Sequence, residues 1–172
     1  MSEYFPAAFP SPMGRYDVGE IAPGTRLYPI RMLGVPVDLF LATRQQHDEL
    51  MREFAVLALA HKDESGSDPP ELRRLVHELG ANSAASVSRA DANVEAASNA
   101  GRATIDLSYR VPITVLAAAD RLEELMQSAD RFCAQGRMLT MPRSPQMLRF
   151  ATWWLRELRQ QVAGYTATAW EG

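Results

Sequence analysis

Apolar side chains recur every three or four residues in three long segments of the chain, a spacing typical of one face of an α-helix. The three segments cover about residues 36–60, 112–135 and 145–163. A proline stands at the start of each segment, and a glycine follows the second and the third. Both positions are common at helix ends. The pattern therefore predicts three long helices.

Two weaker helical patterns lie between the first and the second long segment. Residues 70–79 place large apolar side chains on one side and predict a short helix. Residues 80–101 consist mostly of Ala, Ser and Asn, yet Val87, Ala90 and Val94 still follow helical spacing. We expect a helix here as well, with a surface loop as the alternative.

One segment shows the period of a β-strand. Residues 104–111, TIDLSYRV, alternate between apolar and polar side chains. A lone strand leaves backbone groups without partners, so this segment must either find a partner or be an extended crossover. The candidate partners are the extended apolar segment 26–33 and the same strand of a second subunit. Pro29 excludes a central strand position for the former.

Together these elements predict a mainly α fold, an antiparallel bundle of four or five helices with one short extended segment. The helical domain covers residues 25–164, and residues 165–172 form a C-terminal tail. Residues 1–24 are rich in Pro, Gly and aromatic residues and predict an extended arm without regular structure. This arm either lies on its own domain or grips a partner subunit.

Composition restricts the compartment and the class of partner. The 172 residues are 47% apolar, which suffices for one packed domain, and the net charge of −3 disfavours a dedicated nucleic-acid binder. No apolar run reaches the roughly 18 residues of a membrane span, and the N-terminus lacks the pattern of a signal peptide. Cys133 is the single cysteine, so no internal disulfide forms. These features predict a cytoplasmic protein.

The motifs of common catalytic sites do not occur in the chain. It contains no GxxxxGK[ST] or GxGxxG phosphate loop and no GxSxG nucleophile elbow. The three histidines, His47, His61 and His77, do not have the spacing of a helical metal site. Cys133 lies on an apolar helix stripe, which is typical of a core thiol. We therefore expect no catalytic residue, cofactor or metal.

A polar step interrupts the apolar stripe of the first long helix. The stretch TRQQHDE contains His47, Arg44 and Glu49 between apolar turns. Buried polar side chains need partners, so these three residues could line a pocket for a small ligand. The alternative is that the helix surfaces at its middle.

The last long helix carries more aromatic surface than a single stripe requires. Phe150, Trp153 and Trp154 flank its apolar face, and aromatic residues are enriched at interfaces. Either this helix is central in the fold, or it offers a second face to another subunit. A basic row that includes Arg149 and Arg156 is either a solvated face or a dock for an acidic partner.

Two stretches and the strand segment resemble a group of small actinobacterial proteins. The stretches are residues 30–58 and 132–164, and the strand segment is IDLSYRVP. The group has approximately the pattern FC-x2-G-x-LLTL, a proline, then FR-x-W-[YW]-L-x-E-x3-Q. In this chain Ala151 replaces the basic residue, and Met138 and Met141 replace leucines. In this chain the positions of the pattern are occupied by Phe132, Cys133, Gly136, Met138, Leu139, Thr140, Met141, Phe150, Trp153, Trp154, Leu155, Glu157 and Gln161.

The resemblance implies a role in partner-switch signalling, because such proteins occur beside serine-kinase anti-sigma factors and their antagonists. The chain has neither kinase motifs nor the signature of a phosphorylated antagonist, so the implied role is that of an accessory or sensory component.

Two functional hypotheses follow. The first is a non-enzymatic regulatory protein that forms a homodimer and binds a protein partner such as an anti-sigma factor or antagonist. Its predicted contact residues are Phe150, Trp153, Trp154, Arg149 and Arg156. The second is a small-ligand sensor with a polar pocket near His47.

Overall fold

The computed structural model describes residues 8–9, 16–17, 24–60 and 89–172, and every element below lies in these ranges. The predicted helix 70–79, two of the three histidines and most of the N-terminal arm lie outside them. In chain order, the described elements are β1 (Ala8–Phe9), β2 (Tyr16–Asp17), β3 (Leu27–Pro36), α1 (Val37–Ala60), α2 (Arg89–Asn99), β4 (Thr104–Pro112), α3 (Val115–Ala134) and α4 (Pro145–Val162).

The main sheet is an antiparallel pair formed by β3 and β4. The register runs from Leu27 opposite Pro112 to Pro36 opposite Thr104, with one irregularity between Met32 and Val35. This pairing confirms segment 26–33 as the partner of the predicted strand. Both strands place alternate side chains on the same face, where Ile30, Met32, Leu107 and Val111 are buried.

This sheet makes the prediction of an antiparallel helical bundle wrong. The described chain is a mixed α/β structure in which α4 lies along β3, while α2 packs against α1 and β4. Segment 26–34 lacks clean alternation and contains Pro29, so its sequence indicated an extended segment and left its pairing with β4 open. Pairing with β4, about 80 residues away in the chain, makes it a ten-residue strand.

The outer edge of β3 explains how a proline fits inside a strand. The Gln161 side chain from α4 accepts a hydrogen bond from the Arg31 N–H and donates one to the Arg31 carbonyl, each at 2.8 Å. Because backbone N–H groups alternate between the two edges of a strand, position 29 faces the same outer edge as Arg31. Proline has no N–H to satisfy there, so Pro29 disturbs no ladder bond to β4.

The helices mostly begin and end near their predicted limits. Val37 begins α1 directly after Pro36, and the Ser144 side chain caps α4 by accepting a hydrogen bond from the Met147 N–H at 3.2 Å. The predicted start at Pro112 is wrong, because Pro112 is the last residue of β4 and α3 begins at Val115. The helix predicted over 80–101 is confirmed for its described part, α2.

A short ladder lies within the N-terminal arm. Strand β1 pairs antiparallel with β2, with Ala8 opposite Asp17 and Phe9 opposite Tyr16, and β2 lies next to α3. The expectation of an arm without any regular element is therefore wrong for these four residues.

Candidate functional site

The loop between α3 and α4, residues 137–144, carries two strongly exposed apolar side chains. Met138 is buried, whereas Leu139 and Met141 are 94% and 75% exposed. Large apolar side chains in solvent are common singly. Leu139 and Met141 differ from such single side chains because they are two residues apart on a loop whose backbone is hydrogen-bonded to several polar side chains.

Glu53 on α1 anchors the first half of the loop. Its carboxylate accepts hydrogen bonds from the Leu139 N–H at 2.6 Å, from the Thr140 N–H at 2.8 Å and from the Thr140 hydroxyl at 2.7 Å. Burial would raise the pKa of Glu53, but these three hydrogen bonds outweigh it and lower the pKa below its usual value of 4.5. The charged carboxylate is thus the form that holds the loop.

Gln46, two turns earlier on α1, anchors the middle of the loop. Its amide nitrogen donates a hydrogen bond to the Met141 carbonyl at 3.1 Å, and the side chain is buried. Gln46 and Glu53 are seven residues apart and so lie on one face of the helix. The loop therefore runs along α1 with its backbone turned toward the helix and its two exposed apolar side chains turned away.

Arg143 anchors the second half of the loop to α3. Its Nη1 and Nη2 donate to Glu123 at 2.9 and 3.2 Å, and its Nε donates to Asp130 at 2.8 Å. Asp130 also accepts the Arg143 N–H at 2.9 Å. The guanidinium is fully buried. Burial lowers the pKa of Arg143, but hydrogen bonds and the charges of Glu123 and Asp130 raise it above its usual value.

These contacts leave the polar groups around the loop bonded to the loop itself or to each other. The Glu53 carboxylate is occupied by the loop itself. Cys133, at the end of α3, has its pKa raised to about 11 by burial and by the charges of Asp130 and Glu53, so it is a neutral thiol at pH 7. Within the described ranges no group of three His, Cys, Asp or Glu side chains could hold a metal ion.

The residues proposed for a ligand pocket are divided between two sides of α1. His47 is buried, and Arg44 lies partly buried one turn before it, with its Nε 4.0 Å from the Asp48 carboxylate. Glu49 lies on the exposed side, where it accepts a hydrogen bond from the Gln45 amide at 2.9 Å. The structure thus brings His47 and Arg44 to one side and does not bring Glu49 to them.

The aromatic residues proposed for an interface lie inside the fold. Phe150 and Trp154 are fully buried, and Trp153 is nearly so. Trp154 packs against Phe40, with ring centroids 5.9 Å apart, and against Tyr109 at 6.4 Å. This placement corresponds to the alternative in which the last helix is central.

The basic row on the last helix is smaller than its sequence suggested. Arg149 and Arg156 are exposed, as a dock for an acidic surface requires. The Arg156 Nε lies 3.9 Å from the Glu157 carboxylate, and Arg159 forms an ion pair with Asp120 on α3. Arg143 is not a surface charge at all.

The anchoring residues of the loop were missed by reasoning from sequence. Glu123 and Asp130 lie off the apolar stripe of α3, and Glu53 has no distinguishing sequence pattern. One signal was available: a short connector, RMLTMPR, that is rich in large apolar residues and ends with an arginine before a helix cap. Such a connector is atypical of a solvated loop.

In comparisons with known proteins, no protein family, no curated protein and no solved structure matches this chain. Among the helices of the described ranges, none is both long and apolar enough to cross a membrane.

Proposed function

We propose that this chain is a non-enzymatic protein-interaction module, and that loop 137–144 is its contact surface. The observation that carries the proposal is the exposure of Leu139 and Met141 on a loop whose backbone is held by Glu53, Gln46 and Arg143. The partner contacts these two apolar side chains and is itself a protein.

Rigidity is the physical reason why this surface suits binding. A flexible loop loses conformational entropy when it docks, which weakens association. Here charged and amide groups fix the backbone before any partner arrives, so burial of two large apolar side chains contributes directly to affinity. Truncating one well-packed apolar anchor at an interface costs roughly 2 kcal/mol.

The class of partner is proposed from the resemblance. It implies an accessory component of partner-switch signalling, so we expect the companion to be an anti-sigma factor or its antagonist. The resemblance includes Met138, Leu139, Thr140 and Met141, the same positions that form the first half of the loop. One short segment therefore supports both the contact surface and the signalling role.

The proposal is tested by comparing the wild-type chain with a variant that carries Leu139→Ser and Met141→Ser. Both side chains are exposed, so the variant should retain its stability within about 0.5 kcal/mol. Cross-linking in native extract followed by mass spectrometry should recover a stoichiometric companion with the wild type only. With the purified companion, calorimetry should show a Kd at least about 30-fold weaker for the variant.

The matched control is Ile113→Ser, which removes another exposed apolar side chain from the turn between β4 and α3. The control should bind like the wild type. Equal binding by the Leu139 and Met141 variant would contradict the proposed surface. Recovery of no companion, or of a companion unrelated to sigma-factor control, would contradict the protein-binding role or its signalling class respectively.

A further inference from the structure

The two edges of the sheet formed by β3 and β4 differ in what covers them. On the outer edge of β3, the Gln161 side chain bonds the backbone of Arg31, and Ala169 forms a bridge with Leu33. Strand β4 is the other edge of the same sheet. An uncovered edge strand presents a row of backbone groups that can pair with another strand.

The backbone groups of Ser108 and Arg110 point to the outer edge of β4. Ser108 lies opposite Arg31 in the register, and Arg31 turns its N–H and carbonyl away from β4 to bond Gln161. In an antiparallel ladder both residues of such a pair turn their backbone groups outward. Arg110, two residues further along the strand, does the same. Within the described ranges, no hydrogen bond engages the outward groups of Ser108 or Arg110.

The side chains on the outer face of β4 are polar and exposed, although α2 leads directly into the strand. They are Thr104, Asp106, Ser108 and Arg110. Asp106 accepts the Gly34 N–H through Oδ1 at 2.8 Å, and Arg110 forms no ion pair with any described residue. Charged side chains on an edge strand disfavour its pairing with an arbitrary strand. The charges of β4 therefore restrict which strand could add to this edge.

We propose that the partner of this edge is strand β4 of a second copy of the chain, paired antiparallel about a twofold axis at Ser108. In this register Asp106 lies opposite Arg110 of the partner subunit on the exposed face, and the dimer contains this pair of opposite charges twice. Opposite charges directly across a ladder stabilise it, whereas a register with Asp106 opposite its own copy would be disfavoured. The two Ser108 backbones exchange both hydrogen bonds at the axis. The dimer then has one four-stranded sheet, in the order β3–β4–β4–β3.

The apolar face of β4 fits the same register. Ile105 and Tyr109 are half-buried, while Leu107 and Val111 are buried. The register sets Ile105 opposite Val111 of the partner subunit and Tyr109 opposite Leu107 of the partner subunit. Cross-strand apolar and aromatic pairs add to the stability of a ladder. One register thus satisfies both the charged face and the apolar face.

The first test compares Ser108→Pro with Ser108→Ala in the full chain. Proline removes the outward N–H and its ring obstructs the edge, while Pro29 shows that this sheet accepts a proline at an outer-edge position. Sedimentation velocity should show a concentration-dependent dimer for the wild type and Ser108→Ala, and at least about tenfold weaker self-association for Ser108→Pro. A wild type that stays monomeric up to about 100 μM, or equal association of the two variants, would overturn the proposal.

Charge exchange tests the register without depending on a proline. Asp106→Arg and Arg110→Asp should each weaken self-association by at least about tenfold, because every cross-strand pair on the exposed face then joins like charges. A mixture of the two variants should form a heterodimer, since each chain supplies the charge that the other lacks. A mixture that associates no better than the separate variants would overturn the register.

Cross-linking locates the twofold axis. Ser108→Cys places two thiols opposite one another in the dimer, whereas Thr104→Cys places them roughly 27 Å apart along the strands. In a glutathione redox buffer, Ser108→Cys should give at least about tenfold more disulfide-linked dimer than Thr104→Cys. The native Cys133 is buried and stays in place. Equal yields would contradict the axis. Variants at Leu139 and Met141 should leave self-association unchanged, so this dimer and the contact surface of loop 137–144 fail independently.

Discussion

Loop 137–144 and the C-terminal segment 165–172 are each bonded to a helix glutamate through one threonine, but they differ in their other contacts. In each case a helix glutamate accepts hydrogen bonds from the N–H and the hydroxyl of one threonine: Glu53 from Thr140, and Glu157 from Thr168. The loop joins α3 to α4 and is bonded to side chains of α1 and α3, whereas segment 165–172 follows α4 and is bonded to α4 and β3.

The difference teaches that a local contact does not determine how firmly a segment is held. The loop has a second anchor, the buried Arg143 with its two carboxylates, and it cannot leave unless α3 or α4 moves. The C-terminal segment has one bridge to Leu33, and its Trp170 ring meets the stacked rings of Phe150 and Trp153 edge-on. Segments with fewer buried contacts open locally at a lower free-energy cost, so we expect the C-terminal segment to open more readily than the loop.

Removing the second anchor of the loop should produce the largest effect. In Arg143→Ala the carboxylates of Glu123 and Asp130 lose their cation in a partly buried site, and we expect a loss of about 3 kcal/mol in the free energy of unfolding. Urea denaturation measures it. The control Arg149→Ala removes an exposed guanidinium and should cost less than about 0.5 kcal/mol. Similar losses for the two variants would mean that Arg143 does not stabilise the loop and that Glu53 and Gln46 suffice to hold it.

Amide hydrogen exchange should separate the two segments in the unmodified protein. The N–H groups of Thr168 and Trp170 should exchange through local opening of the C-terminal segment, at least about 100-fold faster than the Thr140 N–H relative to their intrinsic rates. NMR on a deuterated sample resolves the individual amides. Equal protection of Thr140 and Trp170 would show that the C-terminal segment opens only with the whole fold.

Acidification should weaken the Glu53 anchor with a smaller effect. Because the pKa of Glu53 is lowered in the folded state, its contribution is fully present above the usual value of 4.5 and is lost as the pH falls through the lowered value. Glu53→Gln should cost about 1 kcal/mol at pH 7 and progressively less toward pH 3. Chemical denaturation across this range measures the difference. Glu49→Gln, at an exposed site, should show no such trend, and a pH-independent cost for Glu53→Gln would contradict the charged anchor.

Much of the local structure could be predicted from sequence, and little of the pairing. Helical spacing located α1, α3 and α4, and alternation located β4. Segment 26–33 was only one of two candidate partners for β4, because Pro29 breaks its pattern. Its outer edge is bonded by Gln161, which lies 130 residues from Arg31 in the chain. Phe150, Trp153 and Trp154 were recognised as informative, but their sequence alone left open whether they pack inside or against another subunit.

The residues that anchor the two segments could likewise not be predicted from the local sequence. Nothing near Glu53 in the chain indicates that it binds Leu139 and Thr140, 86 and 87 residues away. Glu157 and Gln161 were part of the pattern shared with the actinobacterial group, but that pattern implied no role for them. The candidate surface was therefore predictable only as an unusual connector between two helices.

The amino-acid sequence by itself determined where the three long helices lie, although not each terminal residue, because side-chain spacing, prolines and caps act within a few residues. Only the tertiary structure decided which polar side chains became anchors, which aromatic rings became core and which apolar side chains remained in solvent. Burial and hydrogen-bond partners depend on segments that are distant in the chain, and a local pattern carries no record of what will pack against it.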